Sequence, residues 1–187
     1  MGHDPDRDPP FFFTKPADAV QDSGTTIPYP PMTDNLHHEA ELVVAIGTGG
    51  IDIAEDTALD HIWGYAAGND LTRRDLQAKA KELRRPWDMA KGFDRSAIVG
   101  SLRRASAGHV LSGTIRCYVD GVTCQEADLA DMLWPVSAIL SHLSRYVALM
   151  PGDLVFTGTP AGVGVISRGQ TCRVEIAGLE PAEVTLA

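Results

Sequence analysis

The chain has 187 residues, 44% of them hydrophobic, and a formal net charge of −9. That length supports one sizeable core but not two comfortable domains, and the negative balance argues against nucleic acid and anionic membrane surfaces as partners. No apolar run approaches the ~20 residues that a membrane span requires. No basic start followed by an apolar stretch marks a signal peptide either, so the expected location is cytoplasmic.

In chain order, residues 1–10 (M-G-H-D-P-D-R-D-P-P) are charged, proline-rich and aperiodic, and predict an N-terminal arm. Phe11-Phe12-Phe13-Thr14-Lys15-Pro16 follows, where three consecutive aromatics require burial on more than one side and predict a short core strand. Residues 21–34 carry Gly, Ser, Thr, Asp and Pro28, Pro30 and Pro31, which predicts a loop with brief extended pieces. A strand is expected over residues 36–47, with Leu42, Val44 and Ile46 alternating with Val43 and Ala45, so that both faces are apolar beyond the glutamates. A short helix over 55–61 and a strand from Trp63 to about Asn69 come next. Thr72 and Asp75 have the spacing of a capping pair, predicting a helix through about Leu83 that stops before Pro86.

Asp120-Gly121 is a strong hairpin signal. Counting outward sets Val119 opposite Val122, Tyr118 opposite Thr123 and Cys117 opposite Cys124. The three cysteines (Cys117, Cys124, Cys172) form no C-x-x-C pair and read as reduced thiols, with a Cys117–Cys124 disulfide as the alternative. Val136, Ile139, Leu140 and Leu143, behind Pro135, predict the clearest helix. Short strands are expected over 153–157, 171–176 and 184–186. Several strands, few helices and no regular βα alternation indicate a sheet-rich α+β domain rather than a doubly wound parallel sheet.

Three acidic residues carry the chemistry. Glu39 and Glu41 share one face of a strand, about 6.6 Å apart at ~3.3 Å per residue. Buried, two such charges need something cationic between them. Asp70, with no Cys or His at ligand spacing nearby, completes an all-oxygen set suited to Mg²⁺ or Mn²⁺ rather than zinc. The competing reading is the wet face of an edge strand.

Other residues have two readings each. Lys91, between Trp87 and Phe93, either snorkels outward or faces a specific anion. Arg74 and Gln77 are three apart, so a helix beginning near Thr72 sets both near Asp70. His37 and His38 lack the further nitrogen or sulfur ligands of a zinc site, and one reads as a packing residue. The glycine-rich stretch 157–164 has Val165-Ile166 where a phosphate loop needs Lys-Ser/Thr. Its Thr159 is either a hydroxyl that holds a carboxylate or part of an ordinary turn. No G-x-S-x-G elbow supports a serine hydrolase.

The stretches F-F-F-T-K-P, N-L-H-H-E-A-E-L, G-Y-A-A-G-N-D-L-T-R-R-D-L-Q, P-W-D-M-A-K-G-F-D and P-G-D-L-V-F-T-G-T-P-A-G-V-G, in that order over residues 11–164, resemble the fumarylacetoacetate hydrolase superfamily. The wording is closest to its short acylpyruvases, and the opening residues to the fumarylpyruvate hydrolases among them. The resemblance implies a mixed β-roll of the family's C-terminal-domain type with a few short helices, one catalytic domain over residues 11–187, and a homodimer. It matches Glu39, Glu41 and Asp70 to three ligands of Mg²⁺ or Mn²⁺, and Lys91 to a lysine facing the substrate's keto oxygens. Arg74 and Gln77 then line the same cavity, and Thr159 matches a threonine near the substrate carboxylate. The implied partner is a small 2-oxo acid. The implied reaction is hydrolysis of the C3–C4 bond of a 3-acylpyruvate, fumarylpyruvate to fumarate and pyruvate, in aromatic-acid breakdown. Decarboxylation of oxaloacetate and non-catalytic metal and ligand binding are the alternatives. The second arises because the family's water-activating His and Glu sit on an H-x-x-E segment that would precede Met1. A first strand and lid segment would precede Met1 too. His3 lies past that motif. A chain extended upstream to restore the pair is expected to turn over about 10²–10⁴-fold faster.

Overall fold

β-Branched and apolar runs set the strands of this chain, and a computed structural model describes them over residues 9–187. The arm expected over residues 1–10 lies outside the described residues apart from Pro9 and Pro10. The first half contains β1 (Val20–Asp22), β2 (Thr25–Ile27), β3 (Leu36–His38), β4 (Ala40–Ile46), β5 (Ile62–Asp70) and β6 (Thr72–Arg73). Helices α1 (Arg74–Glu82) and α2 (Asp88–Lys91) follow, then β7 (Ala97–Val99) and β8 (Arg103–Arg104). The second half holds β9 (Thr114–Val119), β10 (Val122–Asp128), α3 (Val136–Ser144), β11 (Leu154–Phe156), β12 (Gly164–Val165), β13 (Thr171–Ile176) and β14 (Ala182–Leu186).

These strands form three sheets. The largest runs β1-β7-β5-β4-β11, with β8 also on β5; a second runs β10-β9-β13-β14-β2; a small third runs β12-β3-β6. Both parallel and antiparallel pairs occur, as a mixed roll requires. Every residue of β4 is buried, and its alternation decides what lies on each side. Leu42, Val44 and Ile46 join the main core with Cys117, Val119, Val174 and Val184 of the second sheet. Val43 packs the opposite way, with Ala66, Val99, Leu154 and Phe156. Gly68, opposite Glu41 in β5, is required there because a Cβ would collide with the Val43 side chain.

Several sequence expectations change in detail. The strand expected over 36–47 is broken at Glu39, so β3 pairs with β6 and β12 while β4 pairs with β5 and β11. Phe11-Phe12-Phe13 is not a strand. Flanking prolines lack donors for a ladder, Phe12 alone packs against the core, and Phe11 and Phe13 lie half-exposed against Trp87. The helix expected over 55–61 shrinks to a 3₁₀ turn, Ala58–His61. Thr72 and Asp75 do not cap α1: the Thr72 hydroxyl donates to the Asp70 carbonyl at 3.0 Å, while Asp75 accepts from Thr33 and from the amides of Asp34 and Leu76. The helix behind Pro135 is present as α3.

The Asp120-Gly121 turn forms as expected, with φ 49° and φ 80° giving the left-handed pair that a tight hairpin uses. Its register then departs from simple counting. Val119 faces Val122 and Tyr118 faces Thr123, but Cys117 faces Gln125, because Cys124 is an extra residue bulged out of the ladder. Cys117 lies instead 3.4 Å from the Cys172 sulfur, and all three cysteines are free. Among the described residues no helix is long and apolar enough to cross a membrane.

Candidate metal centre

Strand register assembles the acidic cluster. Ala40 pairs with Asn69 and Glu41 with Gly68, so Asp70 comes opposite Glu39 and donates its amide to the Glu39 carbonyl at 2.9 Å. All three carboxylates therefore project from one face, continuing the Val43 side of β4. They are nearly fully buried, and one oxygen from each lies within 4.8 Å of the others. Among the described residues this is the one group of His, Cys, Asp and Glu side chains that could hold a metal ion. Its donors are all hard oxygens. His38 is engaged with Gln125, and His37 with Asn35 and Arg74, so neither supplies the nitrogen zinc prefers.

Three cations face the three acids. Lys91, at the end of α2 and 2% exposed, donates to Glu39 Oε2 at 2.7 Å and to Asp70 Oδ2 at 2.5 Å. Burial works against its ammonium, but the charges of Asp70 and Glu39 and their hydrogen bonds outweigh it and raise its pKa. Snorkelling is thereby ruled out. Arg74 Nη2 pairs with Glu39 Oε1, and its Nη1 donates to Gln77 Oε1 at 2.6 Å. Lys15 donates to Asp70 Oδ1 at 2.6 Å; burial pushes its pKa down, opposed by Asp70. Glu41 accepts from the Gly158 amide at 2.7 Å. Burial, followed by the charges of Asp70 and Glu39, pushes the Glu41 carboxyl well above the usual range.

The structure thus gathers Glu39, Glu41, Asp70, Lys91, Arg74 and Gln77 into one buried network. Thr159 joins it through its neighbour Gly158 and stands half-buried in the loop after β11. Sequence reasoning missed Lys15, Asn69 and Gln125. Lys15 had the same signal as Lys91, a lysine beside aromatics. Asn69 Oδ1 accepts from the Glu39 amide at 2.9 Å, and no local pattern marks it.

The fumarylacetoacetate (FAA) hydrolase C-terminal family model matches residues 2–187. The chain belongs to this family. It is 42% identical over 176 residues to a fumarylpyruvate hydrolase of Ralstonia sp, covering 94% of this chain and 91% of that protein. It is 38% identical over 175 residues to a mitochondrial oxaloacetate tautomerase of Arabidopsis thaliana, covering 93% and 78%. Its fold is similar, with TM-score 0.94 and 50% identity, to the fumarylpyruvate hydrolase of Pseudomonas aeruginosa solved in complex with Mn²⁺ and pyruvate, covering 100% of this chain and 82% of that one. The sheet-rich roll expected from the sequence is the fold of these family members.

Proposed function

We propose that this chain is a divalent-metal acylpyruvate hydrolase in which Glu39, Glu41 and Asp70 hold Mg²⁺ or Mn²⁺, and that its substrate is fumarylpyruvate, cleaved to fumarate and pyruvate. The observation that carries the reading is the buried carboxylate trio set against Lys15, Lys91 and Arg74. Lys15, Lys91 and Arg74 pair with Asp70 and Glu39, whereas Glu41 accepts from the Gly158 amide. The Glu41 carboxyl is held well above the usual range by burial and by its two acidic neighbours, a charge deficit that a bound cation would relieve. A divalent cation adds two positive charges to a site that resists unpaired charge, and the dianionic enolate of a 2-oxo acid supplies the matching two negatives. Such an enolate is what breaking the C3–C4 bond releases. Water adds to the C4 carbonyl, the bonding pair passes to the pyruvate half, and the enolate is protonated at C3. Held by Glu39, Glu41 and Asp70, a divalent metal would supply Lewis-acid stabilisation of the developing negative charge, worth several kcal/mol.

The chain's own residues do the rest. Lys91, held protonated by its neighbours, donates to oxygen on which charge develops. Arg74 orients Glu39 and, with Gln77, lines the substrate cavity. Lys15 orients Asp70, and Thr159 receives the substrate carboxylate. Water activation is assigned to no described residue. We place the reaction in one domain over residues 11–187, in a cytoplasmic homodimer that light scattering would test.

A second reading, action on oxaloacetate, is favoured by the Arabidopsis relative. Enolisation and decarboxylation of oxaloacetate both pass through an enolate that the same site would stabilise. A metal-dependent assay with fumarylpyruvate and oxaloacetate side by side separates these readings. Pyruvate plus fumarate supports the first. CO₂ release or enol–keto exchange on oxaloacetate alone supports the second, and binding heat without turnover of either leaves a metal and ligand binder.

A further inference from the structure

Gln125 is 1% exposed, and its amide is hydrogen-bonded at both ends across separate segments of the chain. Its Oε1 accepts from the Ala40 amide at 3.1 Å and contacts His38 Nδ1 at 2.9 Å. Its Nε2 donates to Thr159 Oγ1 at 2.8 Å and to the Pro160 carbonyl at 2.9 Å. A backbone N–H can only donate and a carbonyl can only accept, so Ala40 and Pro160 decide which end of the amide is oxygen and which is nitrogen. His38 must then carry a proton on Nδ1. Thr159 Oγ1 must accept from Gln125, which leaves its own proton free to donate elsewhere.

The bulge at Cys124 is what brings Gln125 to this place. Without it Cys124 would oppose Cys117 and point inward, and Gln125 would point to solvent, because a one-residue shift exchanges the two faces of a strand. The loop after β11 closes onto the bulge at Gly162, whose φ is +98° and where a Cβ would collide with the Cys124 carbonyl. The same loop is tied on its other side by the Gly158 amide to Glu41. Thr159 is therefore held between a carboxylate of the acidic cluster and an amide that can only donate to it.

The structure assigns Gln125 as a positioning residue that presents the Thr159 hydroxyl as a hydrogen-bond donor to the carboxylate of a bound 2-oxo acid. This rests on the functional reading above, which sets that carboxylate at Thr159. An amide does this without adding charge beside the acidic cluster. A glutamate of the same shape would instead accept from Thr159, turning the hydroxyl proton away from the ligand and facing the Pro160 carbonyl with a second acceptor.

Calorimetry at pH 8, with Mn²⁺ and then with pyruvate on the Mn²⁺-loaded protein, tests the assignment. Gln125→Glu should keep Mn²⁺ affinity within a few-fold and lose about tenfold or more in pyruvate affinity, the size expected for one hydrogen bond to a charged group. Gln125→Met, which frees the hydroxyl to rotate, should lose less than Gln125→Glu. In a Thr159→Val background Gln125→Glu should cost nothing further. A loss that persists there reports direct charge repulsion or disrupted packing and would overturn the assignment. If Gln125→Glu does not fold, the same cycle with Gln125→Met decides it, and failure of both to fold would overturn it in favour of a purely structural role. Absence of pyruvate binding by the unsubstituted Mn²⁺-loaded protein would remove the functional reading and this inference together. Pyruvate binding indifferent to Gln125→Glu would remove the inference alone.

Discussion

The acidic cluster and the outer face of the β9-β10-β13-β14 sheet use the same ion pairs to opposite effect. On the outer face Arg116 meets Glu126 at 3.0 Å, and Arg173 meets Glu175 at 2.8 Å and Glu183 at 3.5 Å, all with side chains about half exposed. Water solvates both partners there, so pairing adds little. In the cluster, Lys91 meets Glu39 and Asp70 at similar distances with side chains no more than 9% exposed. Neither partner can turn to water, and removing one leaves the other stranded. Distance alone does not rank these pairs; solvent does.

Experiments can break that contrast, beginning with the largest effect. Stripping the metal with a chelator should abolish hydrolysis, and added Mn²⁺ should restore it; turnover unaffected by chelation would contradict an ion at the trio. Lys91→Met should lower the stability of the metal-free protein by about 3–5 kcal/mol, the cost of breaking a buried pair. At about 2–4 °C per kcal/mol for a chain of this size, calorimetric melting would show it readily. Mn²⁺ at a hundred times its Kd should raise stability by about 2.7 kcal/mol, and Glu41→Gln should reduce that gain. Smaller still is a titration effect. Burial, then the charges of Arg74 and His38, bring the His37 pKa down from 6.5 to about 4. Between those values the unfolded chain binds the proton first, so stability falls as pH drops from 6.5 toward 4 and recovers as it rises. His37→Asn should flatten part of that slope in melting curves taken across the window. Arg116→Ala belongs at the bottom of the scale and should leave the melting temperature unchanged.

The cluster was more legible than the elements around it. Alternation in residues 36–47 set Glu39 and Glu41 on one face, and charge chemistry then asked for a cation. Asp70 could be grouped with them by ligand type, but its place opposite Glu39 comes from the β4–β5 register, which a linear reading does not contain. Lys15 was visible yet unassigned, because only folding carries it to a carboxylate 55 positions away. The bulge at Cys124 has no glycine or proline to announce it in Thr123-Cys124-Gln125, so counting from the turn put the wrong residue opposite Cys117. The Phe11–Phe13 triplet misled for a different reason. Aromatic content predicts burial, but a strand also needs a free edge to pair with, and this segment found Trp87 instead.

Because Asp70 and Glu39 face one another across two antiparallel strands, a slip of one residue between β4 and β5 would carry Asp70 to the far side of the sheet. Such a mispaired molecule could keep a backbone hydrogen-bond ladder, but every β5 side chain would change face, taking Tyr65 and Ala67 out of the main core and leaving no third oxygen to offer. Stoichiometry of bound manganese per polypeptide then becomes an inventory of correctly threaded molecules in any preparation, something a circular dichroism spectrum would not distinguish.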